Sequence, residues 1–352
     1  MNVIVAAAST DSPNFAVINF GNTPPTVAMT PGFENGNVVD CYGTLAVVGE
    51  NSGSSVTLFD MSVPASPVQI GSVETGFQIG SISTDGSYVL TGELNGSRVT
   101  LIDISNPKSP SIDSVSDCAP LLNIISNVAL RSPTAVVSGD NNSVALYFED
   151  PTVGAVPVPI LYNATGPSDF DGWTAAVAAT GGVYAYAVSG DTSTILTQVP
   201  YQGIAGAIAV AEIPAGGYFV AVAGIGSFTL FAYPSGDVNA MGSIETSLQK
   251  GTSSNGTAVK FLNNPAIAPF LAVANVTAKG VFVSYYFIQV ETGGLEGTKI
   301  LFFTPVPVAE VGLATTSVPT LGITAFNPRW RFWPFPWPVP RWLQNILQAL
   351  GL

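Results

Sequence analysis

The chain has 352 residues, 47% hydrophobic and only 9% charged, with 36 glycines, 27 prolines and a net charge of −13. That length holds two or three average domains or one large all-β domain of the barrel or propeller kind, and the Gly and Pro content favours short strands joined by tight turns. An acidic body repels nucleic-acid phosphates and anionic lipid, and the lack of any histidine excludes Ser-His-Asp and Cys-His catalysis and removes the commonest metal ligand.

The opening stretch MNVIVAAAST has no basic leader and only a short, β-like apolar run, so no signal peptide is expected. No run approaches the roughly 20 apolar residues of a spanning helix. The expectation is a protein that is soluble or docks through its end. Cys41 and Cys118 lie far apart and match no metal-site spacing, which favours buried free thiols over a disulfide.

A first apolar hairpin spans residues 2–25, and the next two are near copies of one another. GTLAVVGENSGSSVTLFDMSVPASP (43–67) and GSYVLTGELNGSRVTLIDISNPKSP (86–110) are offset by 43 residues and identical at 13 of 25 positions. Each holds an apolar run, a Gly/Ser/Asn turn, a second alternating run and a Ser-x-Pro break, which is a β-hairpin with a return strand. The same cadence recurs at 134–151, 183–200, 218–236 and 270–289, giving seven hairpins.

A shorter inner strand is expected before each hairpin after the first, at 37–41, 79–84, 124–130, 174–179, 208–213 and 257–262. The first hairpin has none, and LGITAFNP (321–328) supplies it from the far end of the chain. The fold expected over residues 1–327 is therefore an all-β, seven-bladed β-propeller closed by a C-terminal inner strand in its first blade. Eight blades is the alternative if 311–316 forms a further strand.

The segment VTLIDISNPKSP (99–110) resembles the LVIVD-type propeller repeat, closely at 43–70 and 86–113 and by cadence elsewhere. The resemblance implies a propeller fold, with Asp60 and Asp103 matching the family's aspartate. Their place after the third strand suits a cap on the following turn. It also implies a cell-surface or exported setting and says little about chemistry.

Propellers commonly work at the mouth of the central channel. A propeller similar to the gluconolactonases would hold a divalent cation there with Glu, Asp and Asn, which needs no histidine. Glu50, Glu93, Asp140, Asn141 and Asp191 stand at or just after second strands and are the oxygen candidates for Ca²⁺ or Mg²⁺. Stabilised turns explain the same residues, so no metal, cofactor or catalytic residue is assigned. Asp169, Asp171 and Gly172 in SDFDGW resemble a calcium loop that lacks its distal glutamate. GIGSF at Gly224 is too short for a dinucleotide fingerprint and reads as a hairpin turn.

The last segment, 328–352, is set apart by RWRFWPFPWPVPRW (329–342), which holds four of the five tryptophans. Arg329, Arg331 and Arg341 give residues 326–352 a charge of +3 with no acid, leaving −16 on the rest. Alternating prolines predict a polyproline-like arm displaying Trp330, Phe332, Trp333, Phe335, Trp337 and Trp342. Beyond it Leu343, Ile346, Leu347 and Leu350 recur at i, i+3, i+4 and i+7, the pattern of a short amphipathic helix. So few residues need a surface to lie on. The expected function is a non-enzymatic interaction or structural propeller, docked by this tail to a protein assembly or a neighbouring copy. The alternatives are a metal-dependent lactonase-like hydrolase and a propeller docked on a membrane surface.

Overall fold

The computed structural model describes residues 2–9, 15–30, 36–50, 52–119, 121–190, 192–213, 216–225, 227–234, 243–246, 254–262, 270–291, 299–303, 308–313 and 318–326. The described chain is all-β, without a helix, and forms a β-propeller. Among the described residues, no helix is long and apolar enough to cross a membrane.

The first sheet contains β1 (Asn2–Ala8), β2 (Ala16–Asn19) and β3 (Thr26–Met29). The second contains β4 (Gly36–Tyr42), β5 (Leu45–Glu50), β6 (Ser55–Asp60) and β7 (Val68–Glu74). The third repeats it with β8 (Ile79–Thr84), β9 (Tyr88–Glu93), β10 (Arg98–Asp103) and β11 (Ser111–Asp117). A continuous seven-stranded sheet follows: β12 (Ile125–Arg131), β13 (Thr134–Gly139), β14 (Asn141–Tyr147), β15 (Val158–Phe170), β16 (Thr174–Ala179), β17 (Gly182–Ser189) and β18 (Thr192–Val199).

The fifth sheet is β19 (Ala207–Glu212), β20 (Gly217–Ala223), β21 (Phe228–Pro234) and β22 (Ser243–Thr246). The sixth is β23 (Ser254–Phe261), β24 (Phe270–Thr277), β25 (Gly280–Glu291) and β26 (Lys299–Phe303), with β27 (Ala309–Val311) also on β25. Finally β28 (Thr320–Phe326) returns to β1 and pairs with all of it, from Asn2 opposite Phe326 to Ala8 opposite Thr320. Five of the six sheets are thus blades of four or five strands.

The innermost strands lie side by side: β28 by β4, then β8, β12, β15, β19 and β23, which in turn neighbours β28. β28 and β4 run in the same direction. Thr320 Oγ1 of β28 accepts from Val39 N, and four residues on, Thr324 Oγ1 donates to Gly43 O. Between sheets, apolar clusters join each sheet to the next, as Val38, Val47 and Leu58 pack against Ile79, Val89 and Ile102. Sheets stacked this way bury both faces of their central strands, which is why LAVV and YVLT are continuous apolar runs while the outer β7 and β11 are largely exposed.

Two features the 43-residue repeats share have visible causes. A Cβ on Gly49 would lie 2.7 Å from Ile79 Cγ2 and 2.9 Å from Val38 Cγ2, and one on Gly92 would lie 2.7 Å from Ile125 Cγ2. These glycines let the next inner strand approach. Asp60 Oδ1 accepts from Ser62 N at 2.8 Å, and Asp103 Oδ1 from Ser105 N at 2.7 Å, so both aspartates cap the turns that follow.

One inner strand differs from the sequence expectation. Thr174–Ala179 is β16, a second strand, and the inner place between β12 and β19 belongs to the end of β15, where Ser168–Phe170 pairs with Val177–Ala175. The chain runs from outer strand to inner strand within β15 by way of Asn163 (φ 61°) and Gly166 (φ 133°). Gly166-Pro167 in the sequence reads instead as a break. Near the end, β27 joins the sixth sheet, and the segment counted toward an eighth blade falls partly outside the described residues. Cys41 and Cys118 are buried free thiols.

Candidate functional site

Several polar side chains on the inner strands tie one blade to the next. Asp40 of β4 is buried; its Oδ1 accepts from Cys41 N at 2.9 Å and its Oδ2 from Thr84 N of β8 at 3.0 Å. Ser83 of β8 in turn accepts from Leu130 N of β12 at 3.0 Å. Asp169 at the end of β15 accepts from Val210 N of β19 at 2.9 Å through Oδ2. Buried carboxylates persist because backbone donors and a cation satisfy them.

That cation is Lys260 of β23, whose Nζ donates to Asp169 Oδ1 at 3.3 Å. The two side chains retain 16% and 4% exposure. Burial pulls the lysine pKa down, but the nearby Asp169 and Asp40 charges outweigh it and leave the pKa above its ordinary value. A lysine kept protonated is neither a nucleophile nor a general base near neutral pH. Asp40, Asp169, Lys260 and Asn127 line a channel cavity of about 470 Å³. Its charges are spent on holding blades together.

Of the proposed oxygen ligands, Glu93 and Asp140 hold turns. Glu93 is paired with Arg98 of its own hairpin, through Arg98 Nε at 2.9 Å and Nη2 at 2.5 Å, and this bond holds its pKa down. Asp140 Oδ1 accepts from Asn123 N at 3.0 Å and Ile124 N at 2.8 Å, clamping the connection into β12. Asn141 follows it with φ 71°. Glu50 has its pKa raised, by burial first and then by the charge of Glu74, whose own pKa hydrogen bonds from Ser54 and Ser55 lower. Asp191 lies outside the described residues. Among the described residues, no three metal-ligating His, Cys, Asp or Glu side chains come together.

The SDFDGW segment is a turn. Asp171 Oδ1 accepts from Trp173 N at 2.9 Å and Thr174 N at 2.7 Å, as Asp85 Oδ1 accepts from Ser87 N at 3.0 Å and Tyr88 N at 2.9 Å. The two aspartates occupy the same corner between first and second strands, with Gly172 and Gly86 both at positive φ. Asp169 belongs to the channel. Ser227 and Gly224 do form a hairpin turn, Gly224 N donating to Ser227 O at 3.0 Å.

That turn borders a cavity near a channel mouth, about 680 Å³, beside the starts of β19 and β23 and the residues preceding β28. Tyr201, Ile204, Ile225, Phe231 and Val318 supply its apolar lining, Gln202, Ser227, Thr229 and Thr257 its polar atoms, and none of the described lining residues is charged. Ile204 is 91% exposed and Ile225 82%. Sequence reasoning missed this surface because its residues come from three separate connections. The tail residues Arg329 to Leu350 lie outside the described residues.

The fold has many solved counterparts. A protein of unknown function from Desulfotomaculum acetoxidans superposes with a TM-score of 0.63 at 11% identity, over 91% of this chain and 98% of its own. A candidate 6-phosphogluconolactonase from Bacteroides fragilis gives 0.61 at 10% identity, over 92% and 98%. AztD from Citrobacter koseri gives 0.55 at 12% identity, over 92% and 98%. At such identities the likeness shows the propeller fold. No protein-family model matches the chain, and no curated protein matches its sequence.

Proposed function

We propose that this chain is a seven-bladed, non-enzymatic propeller that serves as an interaction or structural module, docked to a protein assembly or to neighbouring copies by its C-terminal tail. The carrying observation is where the propeller strands end. β28 fills the inner edge of the first sheet by pairing with the whole of β1, so that sheet is complete upstream of Arg329 in the sequence.

Counting by inner strands supports seven blades: the seven-stranded sheet contributes two, since β15 ends one blade and begins the next. An apolar cluster inside that sheet, with Ala129, Val136 and Ala145 against Phe170, Ala175 and Tyr186, matches the clusters between the other blades. The turn caps at Asp60 and Asp103 fit an LVIVD-like repeat. Against catalysis stands the use of the channel charges as blade ties.

The docking segment comprises Trp330, Phe332, Trp333, Phe335, Trp337 and Trp342 with the three arginines, followed by the apolar stripe of Leu343, Ile346, Leu347 and Leu350. Aromatic and Arg side chains are the usual interface anchors, and a proline-stiffened arm loses little entropy on binding. A chain ending at residue 328 should keep its circular dichroism and melting transition and lose self-association or partner binding. Unfolding of that truncated chain would mean that the tail belongs to the core.

A second reading, a metal-dependent lactonase-like hydrolase, is favoured by the name of the Bacteroides fragilis relative and a similarly named Bacteroides uniformis protein. It requires Ca²⁺ or Mg²⁺ at the channel mouth. Calorimetric binding of either ion, together with metal-dependent lactone hydrolysis, would establish it over the docking reading.

A further inference from the structure

Resting on the docking reading above, we infer that the cavity lined by Tyr201, Ile204, Ile225, Phe231 and Val318 receives the Trp/Pro arm of a second copy, stacking molecules head to tail. Three observations converge on that occupant: where the arm leaves, how far it reaches and what the cavity offers.

The cavity lies at the starts of the inner strands, taking in Gly206, Gly256 and Val318 just before or at the beginning of β19, β23 and β28. The arm follows Phe326, at the other end of β28. Seven strand residues separate the two ends by roughly 20 Å. The cavity and the end of β28 that the arm follows in sequence therefore belong to opposite faces of the propeller.

Reach decides between the arm's own molecule and a neighbour. Residues 328–342 span about 45 Å at polyproline spacing. Four strands make a blade roughly 20 Å wide with its side chains. The path outward across one face, along the edge and back across the other is therefore about 60 Å, beyond the reach of the arm. Threading the channel would carry four tryptophans past the buried charges of Asp169 and Lys260, whose desolvation disfavours that route. A copy stacked on the arm-bearing face presents its cavity directly.

The chemistry matches. Tyr201 flanked by the exposed Ile204 and Ile225, with hydroxyl and amide groups at intervals and no charge among the described lining residues, forms the kind of apolar groove with polar atoms that takes Pro-rich extended segments. The arm's +3 meets a remainder of −16, which favours approach of a second copy at low salt. Because cavity and arm are different surfaces, the contact is heterologous, so copies form open rows or rings.

The test uses full-length protein in sedimentation velocity over a concentration series. Wild type should self-associate; Ile204→Asp with Ile225→Asp, both exposed, should fold normally and weaken association at least about tenfold, the scale of a lost hot spot. A synthetic peptide of residues 328–343 should dissociate the wild-type assembly. A monomeric wild type overturns the inference. If association survives the isoleucine changes but is lost in Trp333→Ala with Trp337→Ala, the tail docks elsewhere: this receiving site is wrong and the docking reading stands. If neither pair of substitutions matters, both fail.

Discussion

Replacing Asp169 by Asn probes whether the channel charges hold the ring together. The amide oxygen still accepts from Val210 N, bonded at 2.9 Å in the native protein, so the change removes mainly the charge facing Lys260. At 3.3 Å the attraction is about 5 kcal/mol for an effective dielectric near 20. Desolvation of both ions offsets most of it, so the intact pair contributes little net stability. Removing one partner is different, because it strands the other: about 3–5 kcal/mol is usual for a buried pair. The low end, about 3 kcal/mol, is expected here, since Asp40 still acts on Lys260 and the lysine keeps 16% exposure. Urea titration followed by circular dichroism reads the loss as a lower midpoint at unchanged slope. Asp169→Asn with Lys260→Met should recover most of it, while Arg98→Ala, which breaks the more exposed pair with Glu93, should cost under about 1 kcal/mol. A single variant as stable as wild type, or a double variant worse than the single, would refute the tie.

Other consequences are equally measurable. Gly92→Ala should lower stability by about 1–3 kcal/mol, because its Cβ would press on Ser81 Oγ at 2.5 Å and Ile125 Cγ2 at 2.7 Å; thermal melts check this. Cys41 and Cys118 should resist alkylation at pH 8 until the protein unfolds, since burial pushes both thiols up, Cys118 from 9.0 to about 12. Folded-state values above unfolded ones mean stability that is complete below about pH 9 and declines as pH rises toward 12; Lys260 and Tyr218 act in the same direction. Denaturant midpoints should therefore fall steadily across pH 9–12, and a flat profile would contradict the burial of these groups. Millimolar Ca²⁺ should leave the melting temperature unchanged; a rise would revive Glu50 and its companions as ligands.

The blades were legible because their rules are local. Ile79–Thr84 was delimited residue for residue, and the turn roles of Asp60 and Asp103 followed from their place between a strand and a Ser-x-Pro break. The late inner strand at 321–328 was found by the gap it fills, and it pairs with β1 as β28. The fifth inner strand was hidden because β15 runs on from an outer place in one blade to the inner place of the next as a single strand. SDFDGW then read as a loop of its own rather than as the counterpart of STDGSY. The channel escaped entirely: Asp169 and Lys260 are 91 residues apart, and nothing in either neighbourhood announces the other. The mouth cavity likewise assembles Ile204, Ile225 and Val318 from separate connections, a juxtaposition that only ring geometry creates.

The most direct test of the docking account is where the arm lands. A photo-crosslinking side chain placed at Trp333 of the full-length protein, with isotopically light and heavy copies mixed before irradiation, distinguishes contacts within a molecule from contacts between molecules. The account predicts mixed-isotope crosslinks to the connections carrying Ile204 and Ile225. Crosslinks confined to single molecules would contradict it, while mixed-isotope crosslinks to another surface of the propeller would refute the receiving site alone.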